Sequence, residues 1–331
     1  MERGPSEAES GARIAVVDLG TNTTRLLVCE VREGTVHELD RHTTITRLGE
    51  GLDASGTLSD AAMGRVVDAL AGYRQAIDEQ GGCRTIAVAT SAIRDAENGP
   101  AFRDELSERF GLDVRTISGE EEARLTFLGA TSARDATGNG NGNGNGNGNG
   151  NILVFDIGGG STEFMVGRPG TDPAFVVSTR AGAVRQTERH LHGNPPTHEQ
   201  THELAEEIRA LLSSEIPERT RHAAATGIAV AGTATSLAAI SQEFEPYDPA
   251  RVHGYRLDLG EGERILAMLA TMPLAERREV PGLHPDRAPT IVAGAMILVE
   301  ATRAFGLDQV ETSEADILHG AALQAAADNG R

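Results

Sequence analysis

At 331 residues and 34.8 kDa the chain is long enough for two domains of ordinary size. With 39% apolar and 24% charged residues it reads as globular rather than disordered. Its formal charge of −19, set by 49 acids against 30 basic residues that are all arginine, and its 3% aromatics without tryptophan argue against nucleic-acid binding, which wants basic patches and stacking rings.

Residues 1–11 read as a disordered tail, with Glu2, Glu7 and Glu9 preceding any apolar segment, the reverse of a signal peptide. Ile14–Val17, Leu26–Val31 and a polar, threonine-rich third segment predict a meander of strands. Ser59 is placed to cap a helix whose Met63, Val66, Val67, Leu70 and Ile77 fall at helical spacing. Ile86–Ala89 predicts a buried strand, Pro100–Phe110 a helix ended by Gly111, and Val114–Ile117 another strand. Strands then alternate with helices, which indicates an α/β fold. The strict Gly-Asn alternation from Gly138 has no side chains with which to build a core, so residues 136–151 are expected to form a disordered loop. After it Ile152–Phe155 runs into Asp-Ile-Gly-Gly-Gly much as Ile14–Val17 ran into Asp-Leu-Gly, which suggests a duplicated unit. Leu204, Ile208, Leu211 and Leu212 mark one further helix, and Ile265, Leu266, Leu269 and Met272 another. Between them Ile228–Thr233 resembles a third strand-to-phosphate turn. The uncharged stretch Ala223–Ile240 is too rich in glycine and hydroxyls for a membrane span. A soluble, cytoplasmic protein with no membrane partner is expected. Cys29 and Cys83 cannot make a disulfide framework, and neither they nor the histidines have metal-ligand spacing.

Four segments could carry chemistry. In Asp18-Leu19-Gly20-Thr21-Asn22-Thr23-Thr24-Arg25, a glycine lets backbone approach an anion, hydroxyls and amides bind oxygens, and an arginine adds a bidentate contact. An ordinary hairpin with a solvated aspartate would read the same. Asp156-Ile157-Gly158-Gly159-Gly160-Ser161-Thr162-Glu163 is more specific, because three glycines beside a strand-ending acid weaken the strand unless an anion or metal approaches. Thr90-Ser91-Ala92-Ile93-Arg94 offers two hydroxyls and a guanidinium at a strand exit, or equally a helix cap with a surface arginine. In Ser118-Gly119-Glu120-Glu121-Glu122-Ala123-Arg124 the serine and Glu121 form a capping-box pattern. Glu122 then falls on the stripe of Leu125 and Thr126, and spacing alone favours a structural acid there over a base.

Together these segments resemble the exopolyphosphatase/guanosine pentaphosphatase family of the sugar kinase, Hsp70 and actin superfamily. Matching stretches run in family order from Asp18–Val28 through Thr90–Asn98, Ile117–Gly129, Phe155–Phe164, Ala181–Glu188 and Val230–Leu237 to His253-Gly254-Tyr255 and Arg287–Leu298. The resemblance implies an α/β fold of two ribonuclease-H-like domains with the active site in the cleft between them. Domain I would comprise residues 12–135 plus about 300–331, and domain II residues 152–299. It also implies that Glu122 is the general base, that Asp156 and Glu163 organise Mg²⁺ (or Mn²⁺) and water, and that both glycine loops bind phosphate. Gly20, Thr21, Asn22, Thr23, Ser91, Gly158, Gly159, Gly160, Ser161, Thr162, Gly232 and Thr233 would hold phosphate oxygens, with Asp18 beside them. Arg25 and Arg94 would spread the phosphate's charge.

The implied substrate is inorganic polyphosphate. A phosphorylated guanosine nucleotide (guanosine pentaphosphate) is the alternative, and a non-catalytic nucleotide-binding regulator is a third reading. Glu314–Gly320 departs from the family's usual glycine-leucine-arginine-glutamate-glycine stretch, which puts the packing there in question. The family's longer members carry extra helical domains, so the short form suits short chains or a homodimer.

Overall fold

The computed structural model describes residues 11–134 and 150–329. The tail read over 1–11 and the Gly-Asn run read over 136–151 lie, apart from Gly11, Gly150 and Asn151, outside the described residues.

The chain opens with β1 (Ala12–Leu19), β2 (Thr23–Arg32) and β3 (Thr35–Ile45), then α1 (Leu52–Ser55), α2 (Asp60–Glu79), β4 (Arg84–Ala89), α3 (Ser91–Asp95), α4 (Gly99–Phe110), β5 (Asp113–Thr116) and α5 (Gly119–Thr131). It continues with β6 (Ile152–Ile157), β7 (Thr162–Gly167), β8 (Phe175–Thr179), α6 (Ala183–His190), α7 (His198–Glu215), α8 (Glu218–Arg221), β9 (Thr226–Val230) and α9 (Ala231–Ser241). The last elements are α10 (Pro249–Val252), β10 (Arg256–Asp258), α11 (Leu259–Thr271), α12 (Leu274–Arg277), α13 (Ile291–Ala304), β11 (Gln309–Ser313) and α14 (Ile317–Asn329).

The strands form two sheets of one design. The first runs β3-β2-β1-β4-β5 and the second β8-β7-β6-β9-β11, with β10 added at its far edge. In each, a three-stranded antiparallel meander is followed by parallel strands. The duplication suggested by the two Asp-x-Gly turns is therefore a duplication of sheets, and two such sheets make the expected mixed α/β architecture.

Both sheets are covered on both faces, which explains why β1 and β6 are unbroken apolar runs rather than alternating ones. Ala15, Val17 and Leu19 face α2 and α4, while Ile14 and Val16 face α14. Leu153, Phe155 and Ile157 face the helices of the second half, while Ile152 and Val154 meet Ala123, Phe127 and Ala130 of α5. Helices α5 and α14 thus lie between the two sheets. Two glycines allow their close approach: a Cβ on Gly320 would stand 1.8 Å from the Leu125 carbonyl oxygen, and one on Gly129 1.9 Å from that of Asp316.

The caps fall where expected. The Ser59 hydroxyl accepts from the Ala62 amide, and that of Ser118 from the Glu121 amide. The return to the first half comes later than the expected residue 300. Helix α13 packs on α7 and α11, and β11 pairs with β9, so the chain stays with the second sheet through Ser313 and crosses back only with α14. Among the described residues no helix is long and apolar enough to cross a membrane.

Candidate active site

The turn between β1 and β2 and the turn between β6 and β7 are the same structure built twice. In each, the first glycine donates its amide across the loop, Gly20 to the Thr23 carbonyl and Gly158 to the Ser161 carbonyl, both at 3.0 Å. In each, the strand-ending acid faces its cross-strand partner: Asp18 opposite Arg25, and Asp156 opposite Glu163. The two turns then meet. A Cβ on Gly159 would come within 3.1 Å of Thr21 and Asn22, and one on Gly160 within 2.8 Å of the Ser91 hydroxyl. Close approach of the two halves is thus a structural reason for the triple glycine that the sequence alone did not supply.

A cavity of about 80 Å³ lies at this junction. Of the residues singled out from sequence, Asp18, Gly20, Thr21, Asn22, Thr23, Arg25, Ser91, Glu122, Asp156, Gly158, Gly159, Ser161, Gly232 and Thr233 line it. Four do not. Gly160 turns toward Thr21 and Ser91, and the Thr162 hydroxyl donates to the Ala181 carbonyl instead of facing the cavity. Glu163 sits one strand behind Asp156, 1% exposed, and accepts from the Ser178 hydroxyl at 2.7 Å. Arg94 stands behind Glu122.

Glu122 is placed by local chemistry. Ser118 caps α5, which fixes the first turn, and Gly119 lets that turn press against Ser178, where a Cβ would come within 2.7 Å. Glu122 is 9% exposed and pairs with Arg94 Nη1 at 3.4 Å, while Arg94 also donates to the Ile117 carbonyl. Burial, with Glu163, Asp156 and Asp18 adding like charge, holds the Glu122 carboxyl well above its usual range. Burial and Glu163 push Asp156 up to about 8, and burial also raises Glu163 and Asp18.

The arginines depart from expectation. Arg25 is spent on an ion triplet, donating to Asp18 at 2.6 and 2.9 Å and to Asp316 on its other side. Arg94 is spent on Glu122. Arg287, which lines the same cavity, has a guanidinium with no ion pair or hydrogen bond among the described residues. It lies over Gly232, where any Cβ would fall 1.4 Å from Nη1. At the β9–α9 junction Ala231 holds a left-handed backbone (φ 66°), a local strain beside the cavity.

Sequence reasoning missed Asp316, whose only signal was the unusual Glu314–Gly320 stretch, and it missed Ser178, which carries no signal at all. His253-Gly254-Tyr255 braces β11: Gly254 donates to the Thr312 carbonyl, Thr312 to that of Tyr255, and the Glu314 amide to His253.

A divalent cation fits this donor set. The Asp18 Oδ1 is buried with no hydrogen-bond partner, and the carboxylates of Asp18, Glu122 and Asp156 line the cavity with more negative charge than the paired arginines offset. Among the described residues no three acid, histidine or cysteine side chains converge enough to hold a metal alone. Such an ion would therefore complete its shell with water and substrate oxygens, as Mg²⁺ commonly does.

Comparison with known proteins identifies the family of the chain. The profile of the Ppx/GppA phosphatase family matches residues 27–327. The chain is 33% identical to exopolyphosphatase 2 of Mycobacterium tuberculosis over 95% of its own length and 98% of the relative's. It is similar in structure to an exopolyphosphatase from Cytophaga hutchinsonii (TM-score 0.84, 25% identity, 96% of this chain and 98% of the other). It is likewise similar to the Aquifex aeolicus member of the Ppx/GppA family (TM-score 0.78, 28% identity, 97% and 99%).

Proposed function

The chain belongs to the Ppx/GppA phosphatase family, and on that premise we propose that it is an exopolyphosphatase, releasing terminal orthophosphate from inorganic polyphosphate with Glu122 as general base. The observation that carries this reading is the carboxyl of Glu122, held at the edge of a cavity made by two facing glycine turns and raised by burial and neighbouring acids well above its usual range, as a base requires.

In this reading the end phosphate sits between the turns. The amides around Gly158–Ser161 and Thr21–Thr23 hold its oxygens, and Arg287 supplies a cation not already paired. Glu122 accepts the proton of the attacking water. Arg94 keeps that carboxylate oriented, and Ser178 does the same for Glu163. Thr126 reaches Asp156 at 3.5 Å from below. Asp156, with Asp18 and Glu163 beside and behind it, would hold Mg²⁺. When bound, the ion would neutralise phosphate charge. Because Asp18 and Asp316 already occupy Arg25, that arginine's role is to fix the first turn to α14 rather than to carry the phosphate.

The test is phosphate release, with Mg²⁺, from short polyphosphate, long polyphosphate and guanosine pentaphosphate in parallel, by wild type and Glu122→Gln. Turnover of polyphosphate that falls at least about 10³-fold in the variant, with the fold retained, is expected. Normal turnover by Glu122→Gln removes Glu122 as base. Exclusive turnover of the nucleotide moves the substrate assignment.

A further inference from the structure

A second cavity, of about 1020 Å³, opens from the catalytic one across Ala231, Gly232 and Arg287, which line both. Arg287 stands at the neck with its guanidinium unpaired among the described residues. Beyond it the character of the wall reverses. Arg25 belongs to Asp18 and Asp316, and Arg41 is taken by Glu38 at 2.9 Å and Glu314 at 3.0 Å. Asp40 and Glu245 also line the space; Asp40 accepts from the Arg41 amide and meets His42 Nε2 at 2.9 Å, and no arginine side chain is paired with either acid among the described residues. Glu38 and Asp40 lie on β3, the outer strand of the first sheet, and Glu245 lies on the loop after α9, so the two halves supply acid from facing sides.

We propose that this reversal of charge sets the length of the substrate. The terminal phosphate occupies the glycine turns, its neighbour meets Arg287 at the neck, and the remaining phosphates of a long chain meet Glu38, Asp40 and Glu245. Short polyphosphates end before that wall, whereas long ones must run along carboxylates of their own sign in a confined space that strengthens the repulsion. The proposal rests on the exopolyphosphatase reading and adds the residues that select among its substrates.

The experiment compares wild type with Glu38→Gln/Asp40→Asn/Glu245→Gln. A charge-matched control, Glu105→Gln/Glu199→Gln/Glu203→Gln, changes exposed acids elsewhere. For each protein, kcat and KM are measured per chain end on triphosphate and on long-chain polyphosphate, at low and high salt. Wild type is expected to favour triphosphate, with the gap narrowing in salt. The wall variant is expected to raise kcat/KM on the long chain by about tenfold through KM while triphosphate stays within about twofold. That unchanged triphosphate turnover also shows that the variant folds. The control is expected to change neither ratio. An unaltered long-to-short ratio in the wall variant, the same shift in the control, or a wild type that already prefers the long chain overturns the proposal. Failure of wild type to release phosphate from either substrate refutes the exopolyphosphatase reading itself, and the proposal with it.

Discussion

Replacing Asp156 by asparagine should stabilise the protein while abolishing its activity. The folded-state pKa of Asp156 is raised from 3.8 to about 8, chiefly by burial and then by Glu163. Below pH 3.8 the group is protonated in both states and costs nothing. As pH rises from 3.8 toward 8, the unfolded chain ionises freely while the folded one does not, so stability falls through that window. At pH 7 about three of those units have been traversed, which at about 1.36 kcal/mol each is a penalty of about 4 kcal/mol. Asparagine removes the titration but must still find partners for its amide, so a net gain of about 1–3 kcal/mol is expected. That corresponds to a rise in Tm of about 1–4 °C for a chain of this size. The assay is thermal unfolding in metal-free buffer near neutral pH and again near pH 4. The gain should shrink at the acid value, and added Mg²⁺ should raise the Tm of wild type more than that of the variant. A variant less stable than wild type at neutral pH without metal, or a gain independent of pH, would refute the reasoning.

Two further outcomes follow from the same geometry. Glu122 must be ionised to act as base and its carboxyl is raised, so the acid limb of kcat/KM should lie above the ordinary 4.5. Arg94→Met, which removes a paired cation that lowers it, should move that limb to still higher pH, and a limb that stays in place would exclude the pairing as its cause. Gly320→Ala would put a Cβ 1.8 Å from the Leu125 carbonyl oxygen, a backbone contact that cannot rotate away, and should cost about 3 kcal/mol or more. Denaturant unfolding that gives a wild-type midpoint would show that α5 and α14 can part without cost.

Much of this fold is legible because its causes are local. Ile14–Val17 and Ile152–Phe155 are buried on both faces, so they announce themselves as unbroken apolar runs, and Ser59 and Ser118 cap the helices they precede. The repeated Asp-x-Gly turn betrays the duplicated sheet because the turn needs a glycine at one fixed place after each strand. The partners of the site's charges are another matter. Arg25 and Asp316 are separated by 291 positions, and nothing in the composition of either segment names the other. The family resemblance implies phosphate contacts for Arg25 and Arg94, whereas the folded chain gives their charges to Asp18, Asp316 and Glu122. The Glu163–Ser178 contact depends on the β7–β8 register, with the two residues directly opposite. The late return to the first half was hidden for the same reason: pairing of β11 with β9 is set by topology, not by the residues of β11.

The layer between the sheets also bears on how the protein is made. Helix α5, which carries Glu122, emerges early from the ribosome, but α14, against which it packs through Gly129 and Gly320, is the last of the described elements to be synthesised. Until then Leu125 of α5 and Ile14 and Val16 of β1 lack their cover, and Arg25 lacks Asp316. A nascent chain holding both glycine turns is therefore an unfinished catalyst with a bare apolar face. Its second half can complete a sheet first, and the half that was begun first is closed last.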